Sequence, residues 1–269
     1  MSEKTKFQKG LRQKFVKVKT AKGRKSSSTR WLQRQLNDPY TILAKRNMYR
    51  SRAAYKLLEI EQKFKFIKKA KIILDLGCAP GGWMQVCREI NEKARIIGVD
   101  IQNMDSIDNT GFIKGDFLED EVQADIFRML NGGRDNNLGG LKENQESQAL
   151  PTKIDGLVEG RKLDKSGDVN RVPENKKIDL IMSDIAPPTC GHNNTDHLRI
   201  MHIIENIIMF NDKHLKHNGN FISKVFLGSE TQLLVQHLKS VFKEVKLFKP
   251  NSSRKESKEQ FLVCLNNKK

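Results

Sequence analysis

The chain lacks the acidic residues that would balance its bases: 32 Asp and Glu stand against 49 Lys and Arg, a formal net charge of +17. Folding does not require such an excess, and it points to a polyanionic partner, most simply a nucleic acid. Long hydrophobic runs are also missing. Every apolar stretch is interrupted short of the roughly 18 residues that a membrane-crossing helix needs, and the lysine-rich start has no apolar core of a secretion signal. No membrane association is expected. Cysteine is scarce, and Cys78, Cys87, Cys190 and Cys264 form no C-x-x-C pair and no zinc spacing, as suits reduced thiols in a cytosolic protein. His192, His197 and His202 lie close together, but no i, i+4 pair and no completing Cys or carboxylate makes a metal set, so no metal is expected.

With 269 residues, 37% of them hydrophobic, the chain can bury one sizeable core. The first 30 residues carry eleven lysines and arginines against Glu3 alone. Residues 1–27 therefore read as a basic, disordered tail that neutralises phosphates, ahead of a single domain over 28–269. Apolar spacing predicts short helices within Ser28–Tyr40 and Ser51–Phe64. Strands are expected at Lys71–Gly77, Arg95–Ile101, Gly111–Phe117, Lys177–Asp184, Asn220–Phe226, Val245–Lys249 and Gln260–Leu265, with helices at about 82–91, 120–130, 196–216 and 229–242. That alternation describes a doubly wound α/β fold with helices on both faces of a mostly parallel sheet. Residues 131–176, rich in Gly, Asn, Lys, Glu and Asp, read as a low-complexity surface insertion to which no function is assigned.

The most informative stretch is Ile73-Leu-Asp-Leu-Gly-Cys-Ala-Pro-Gly-Gly-Trp83, an apolar strand entering a glycine-rich turn, with a second strand closing on Asp100. A carboxylate at that place suits the two hydroxyls of an adenosine ribose. The spacing is not G-x-G-x-x-G, since Cys78, Ala79 and Pro80 separate Gly77 from Gly81, so a pyrophosphate is disfavoured. An adenosine without phosphates fits better, which points to S-adenosylmethionine and away from a nicotinamide dehydrogenase. Asp100, Asp116 and Asp184 close strands on the ligand-binding edge of such a sheet, and Lys224 lies near the end of the fifth. Glu259 begins its strand, and joins that edge if the last strand runs antiparallel. Trp83 is placed either on the adenine ring or in the core, and Tyr49 and Tyr55, beside Arg50 and Arg52, are candidates to stack on RNA bases.

These motifs together resemble the FtsJ/RrmJ family of ribose 2′-O-methyltransferases. The matching segments are SRAAYKL at 51–57, DLGCAPGGW at 75–83, GDF at 115–117, MSDIAP at 182–187, KVF at 224–226 and KPNSSRKESKEQF at 249–261, in family order. The segment SSTRWLQRQLNDPY at 27–40 is similar to the bacterial and organellar branch that modifies a uridine of large-subunit ribosomal RNA. The resemblance implies the Rossmann-like methyltransferase fold with its last of seven strands antiparallel, S-adenosylmethionine as cofactor, and ribosomal RNA or the large subunit as partner. It also implies a cytoplasmic monomer of bacterial type, or an organellar one in a eukaryote. It marks Lys56, Asp184, Lys224 and Glu259 as catalytic, and Gly81, Trp83, Asp100, Asp116 and Asp184 as cofactor contacts. Pro188, where Asn is common, and Cys78, where Ala is frequent, depart from the pattern. An ordinary lysine is protonated near neutrality, so a lysine base needs desolvation and a like charge nearby, here Lys56 for Lys224. The alternative has Lys224 donate to the developing alkoxide. Two other functions remain open: the same chemistry on a tRNA anticodon loop, and a non-catalytic RNA-binding assembly factor.

Overall fold

The computed structural model describes residues 15–20, 22–131, 177–187, 193–228 and 230–269. Most of the basic tail, nearly all of the 131–176 insertion, Pro188, Cys190 and His192 lie outside the described residues. Three helices precede the sheet: α1 (Ser26–Leu36), α2 (Pro39–Arg46) and α3 (Ala53–Phe64). The Ser28–Tyr40 segment, expected as one helix, is split because Asp38 caps a new one. Its carboxylate accepts the amides of Tyr40 (3.0 Å) and Thr41 (3.1 Å), and Pro39 at the first helical position has no amide to satisfy.

There follow β1 (Ile72–Leu76), α4 (Gly82–Ile90), β2 (Arg95–Asp100), β3 (Thr110–Lys114), α5 (Asp120–Leu130), β4 (Ile178–Ser183), α6 (Asn193–His214), β5 (Leu215–Phe226), α7 (Thr231–Val241), β6 (Phe242–Phe248) and β7 (Glu259–Asn267). The seven strands lie in the order β3-β2-β1-β4-β5-β7-β6, parallel from β3 through β5, with β7 antiparallel to both its neighbours. The expected sheet is present. β5 starts at Leu215, earlier than its apolar pattern suggests: Leu215 already pairs with Ile178, and the register shifts between Ile178 and Leu180. β3 stops at Lys114, so Asp116 follows that strand instead of closing it.

Successive side chains of a strand face opposite sides, and β1 divides the core accordingly. Leu74 and Leu76 join residues of α5, α6 and α7, whereas Ile73 packs among Leu57 and Ile60 of α3 and Met84 and Val86 of α4. Helices thus cover both faces, and the carboxyl ends of β1, β2, β4 and β5 are left along one edge. Among the described residues no helix is long and apolar enough to cross a membrane.

His214, stacked on Phe210 at the end of α6, ties pH to this packing. Burial first, and then Lys213 and Lys177, lower its imidazole from 6.5 to about 4. Between those values the unfolded chain binds a proton that the folded chain refuses, so this part of stability is complete above the upper value and declines as pH falls toward the lower one. Thermal midpoints measured across that interval should fall more steeply for wild type than for His214→Gln. Equal slopes would contradict the assignment.

Candidate active site

The four sequence-predicted catalytic residues converge. Lys56 projects from α3, Asp184 follows β4, Lys224 lies in β5, and Glu259 opens β7. The reversal of β7 is what brings in Glu259, since antiparallel pairing sets it opposite Phe226, two residues beyond Lys224. Lys224 Nζ is 3.0 Å from Asp184 Oδ1 and donates to the Asp184 carbonyl at 2.7 Å. Lys56 Nζ is 2.9 Å from Glu259 Oε2 and 3.8 Å from Asp184 Oδ2, and it sits 5.5 Å from the Phe261 ring centre. Lys224 is only 6% exposed. Burial raises the Asp184 carboxyl, but Lys224 and then Lys56 outweigh it, and its pKa falls below the ordinary value. Asp184 is therefore ionised and shared between two amines.

Neighbouring residues hold this set in place. Ser253 donates to Glu259 Oε1 at 2.8 Å. The loop carrying Ser253 is fastened to α3 by Glu59, which accepts the amides of Asn251 and Ser252, and by Arg52, which donates to the Ser252 carbonyl and pairs with Asp38. Ser253 escaped sequence reasoning, because a serine in a polar loop carries no distinguishing pattern. Asp75 escaped too, although a carboxyl inside the apolar strand IILDL was a visible signal. It is fully buried and neither oxygen meets a hydrogen-bond partner among the described residues. Burial, then Asp184 and Asp100, push its pKa well above the ordinary value, which favours the protonated carboxyl.

On the cofactor side, Gly81 adopts φ +105, and α4 starts directly after it. The amides of Gly82, Trp83 and Met84 precede the first bond of that helix, from Gln85 to the Gly81 carbonyl at 3.0 Å. Asp100 accepts Ala79 N–H on Oδ2 and Gln102 N–H on Oδ1, both at 2.8 Å, and each oxygen keeps a second lone pair for a ribose hydroxyl. This donor and acceptor set fits an adenosine-bearing cofactor. Asp116 is exposed, and its Oδ1 accepts the Leu118 amide at 3.0 Å. Asp100 closes β2, and Asp116 and Asp184 follow the ends of β3 and β4, all on this edge.

The Trp83 side chain is core: it is 3% exposed, tilted against Phe261, and its indole N–H donates to the Ala53 carbonyl at 2.9 Å, which leaves its backbone amide as what it offers a ligand. The glycines make room chiefly for protein. A Cβ on Gly77 would meet Ile185 at 2.7 Å, and one on Gly81 would meet Ile107 at 2.8 Å and Arg50 at 3.1 Å. Cys78, the departure from the family pattern, is buried with its thiol 3.8 Å from the Met104 sulfur. His197 lies against the Phe226 carbonyl, and among the described residues no cluster of three His, Cys, Asp or Glu is placed to hold a metal.

Tyr49, Tyr55 and Arg50 are likewise committed internally. Tyr55 is buried and edge-on to Tyr49, whose hydroxyl donates to Glu89 at 2.6 Å. The guanidinium of Arg50 donates to the carbonyls of Pro80 (3.3 Å), Asp105 (2.6 Å) and Ser106 (2.7 Å), tying the glycine-rich turn to the loop beyond Asp100. Charged hydrogen bonds contribute about 1.5–3 kcal/mol each. Arg50→Ala should therefore weaken S-adenosylmethionine binding by about tenfold or more in calorimetry, with Arg50→Lys between it and wild type. An unchanged affinity would show that the clamp does not shape the pocket.

Comparison with known proteins agrees with this geometry. A family model described as FtsJ-like methyltransferase matches residues 49–267. Ribosomal RNA large subunit methyltransferase E of Rickettsia africae is 38% identical over 265 residues, spanning 96% of this chain and 97% of its own length. The protein of that name from Erythrobacter litoralis is 39% identical over 248 residues, spanning 92% and 93%. A Plasmodium falciparum crystal structure named as a ribosomal RNA methyltransferase is similar with a TM-score of 0.59 and 33% identity, over 81% of this chain and 98% of that one. The chain belongs to the FtsJ-like methyltransferase family, and its cofactor is S-adenosylmethionine.

Proposed function

We propose that the protein methylates the ribose 2′-hydroxyl of a uridine in large-subunit ribosomal RNA. The observation that carries this reading is the sharing of Asp184 by Lys56 and Lys224, with Glu259 on the far side of Lys56, at the sheet edge that also holds Asp100. A binding-only protein has no use for two amines aimed at one crevice. The names of the relatives support ribosomal RNA as substrate, and the net charge of +17 suits any RNA.

A ribose hydroxyl is a weak acid and a poor nucleophile near neutrality. When bound, S-adenosylmethionine supplies a methyl group made electrophilic by positively charged sulfur. The protein works on the hydroxyl, by holding it in line and by receiving its proton. Lys224 is the base. In its amine form, Lys224 still donates an N–H to the Asp184 carbonyl, with Asp184 Oδ1 3.0 Å away, and its lone pair is left for the 2′-hydroxyl proton. As the 2′ oxygen gains the methyl group, that proton passes to Lys224 Nζ, where the Asp184 carboxylate balances the new charge. Lys56, held by Glu259, keeps the opposite side of Asp184 in place.

Lys224→Ala should lower methyl transfer by about 10³-fold while S-adenosylmethionine still binds; near-normal turnover would refute the assignment. Labelled cofactor should mark large-subunit ribosomal RNA, and digestion with alkali should release the label in a resistant dinucleotide, because a methylated 2′ oxygen cannot attack the adjacent phosphate. Label in tRNA alone would favour the anticodon-loop reading. Absence of label in any RNA pool would favour the assembly factor.

A further inference from the structure

Residues 15–48 precede the stretch that the family model matches, and their surface is unlike the rest. Asp38 is the single carboxylate among them, against nine lysines and arginines. It is already used, capping α2 and pairing with Arg52, with Arg254 a further 3.8 Å contact. Large apolar side chains nevertheless stand in solvent here: Trp31 is 50% exposed, Phe15 67% and Met48 81%. Tryptophan is among the more buried residues on average, so a half-exposed indole among cations is a feature to account for.

The geometry of α1 sets its direction. Gln33 and Asn37 bind the backbone of Val16 and Val18, and Leu32 and Gln35 are partly buried, so that side of the helix is anchored. Ser27, Arg30, Trp31 and Arg34 fall at i, i+3, i+4 and i+7 and are all exposed, which puts them on one outward face. An indole flanked by guanidiniums offers a flat stacking surface and two phosphate ligands, a combination that suits unpaired RNA. A duplex hides its base faces and would leave the indole without a partner.

We propose that this face of α1 is a second RNA-binding site, where Trp31 stacks on an unpaired base and Arg30 and Arg34 take neighbouring phosphates. The proposal rests on the reading above for the identity of the polyanion. The site is fixed to the catalytic wall, because Asp38 pairs with Arg52, one helical turn before Lys56. RNA held on α1 is thereby anchored outside the crevice that receives the reacting ribose.

Two tryptophans with opposite environments make the test direct, since Trp83 is 3% exposed. Titration of the full chain with a single-stranded RNA oligonucleotide should quench tryptophan emission, a duplex of the same sequence should quench far less, and Trp31→Phe should lose the signal. By anisotropy, Trp31→Ala should bind the single strand about tenfold more weakly, Trp31→Phe should retain part of the affinity, and S-adenosylmethionine binding should be kept by both. Equal quenching by duplex and single strand, unchanged RNA affinity in Trp31→Ala, or loss of cofactor binding in that variant would each overturn the proposal. Quenching by a wild-type protein that labels no ribosomal RNA would overturn the function proposed above and leave this site standing. Labelling without quenching would do the reverse.

Discussion

One carboxylate, Asp184, sits between two amines, and the site is organised around that sharing. Lys224 approaches one oxygen at 3.0 Å and Lys56 the other at 3.8 Å, while Lys56 also pairs with Glu259 at 2.9 Å. A lone buried charge costs several kcal/mol, so such ions persist only when paired and hydrogen-bonded. Here two lysines and two carboxylates offset one another, through the pairs Lys224–Asp184, Lys56–Asp184 and Lys56–Glu259. The balance explains how a nearly buried Lys224 is tolerated on a strand of the central sheet. It also explains why the last strand must reverse, because only an antiparallel β7 starts beside the end of β5 and delivers Glu259 to the same edge.

Much of this was legible in the sequence, for identifiable reasons. Buried parallel strands are short apolar runs, and β1, β2 and β4 were bounded to within a residue because Gly, Asp and Lys punctuate them. The proposed catalytic set was found through six motifs in order, not through charge, since Lys56 and Glu259 are two of many charged residues. Less was legible where side chains serve other protein groups. Tyr49, Tyr55 and Arg50 look like RNA contacts when read as a string of aromatic and basic letters, yet the fold spends them on Glu89, Asn47 and three carbonyls. No local pattern reveals that, because their partners lie up to 56 residues away. The break at Asp38-Pro39 was readable as a cap followed by a proline, and the apolar spacing that runs across it obscured the signal.

The same network links the parts of the chain. Asp38, in the basic segment ahead of the sheet, binds Arg52 at the start of α3; Arg52 and Glu59 hold the loop that presents Ser253; Ser253 steadies Glu259; and Glu259 holds Lys56. The helices ahead of the sheet are thus continuous, through hydrogen bonds and ion pairs, with the proposed catalytic groups. On the other side, Arg50 joins the glycine-rich turn to the loop after Asp100, and Asp75 is buried within electrostatic reach of Asp184 and Asp100.

The central claim is that an ionised Asp184 sets the two amines to work on the hydroxyl. It is tested most directly by single-turnover methyl transfer in Asp184→Asn, at saturating cofactor and RNA, with folding checked by circular dichroism. The substitution keeps the shape and removes the charge that both lysines share. The account expects a folded protein whose rate drops by about 10²–10⁴-fold. A folded Asp184→Asn protein that transfers methyl within about threefold of wild type, well short of the loss expected when general acid–base chemistry is removed, would contradict it.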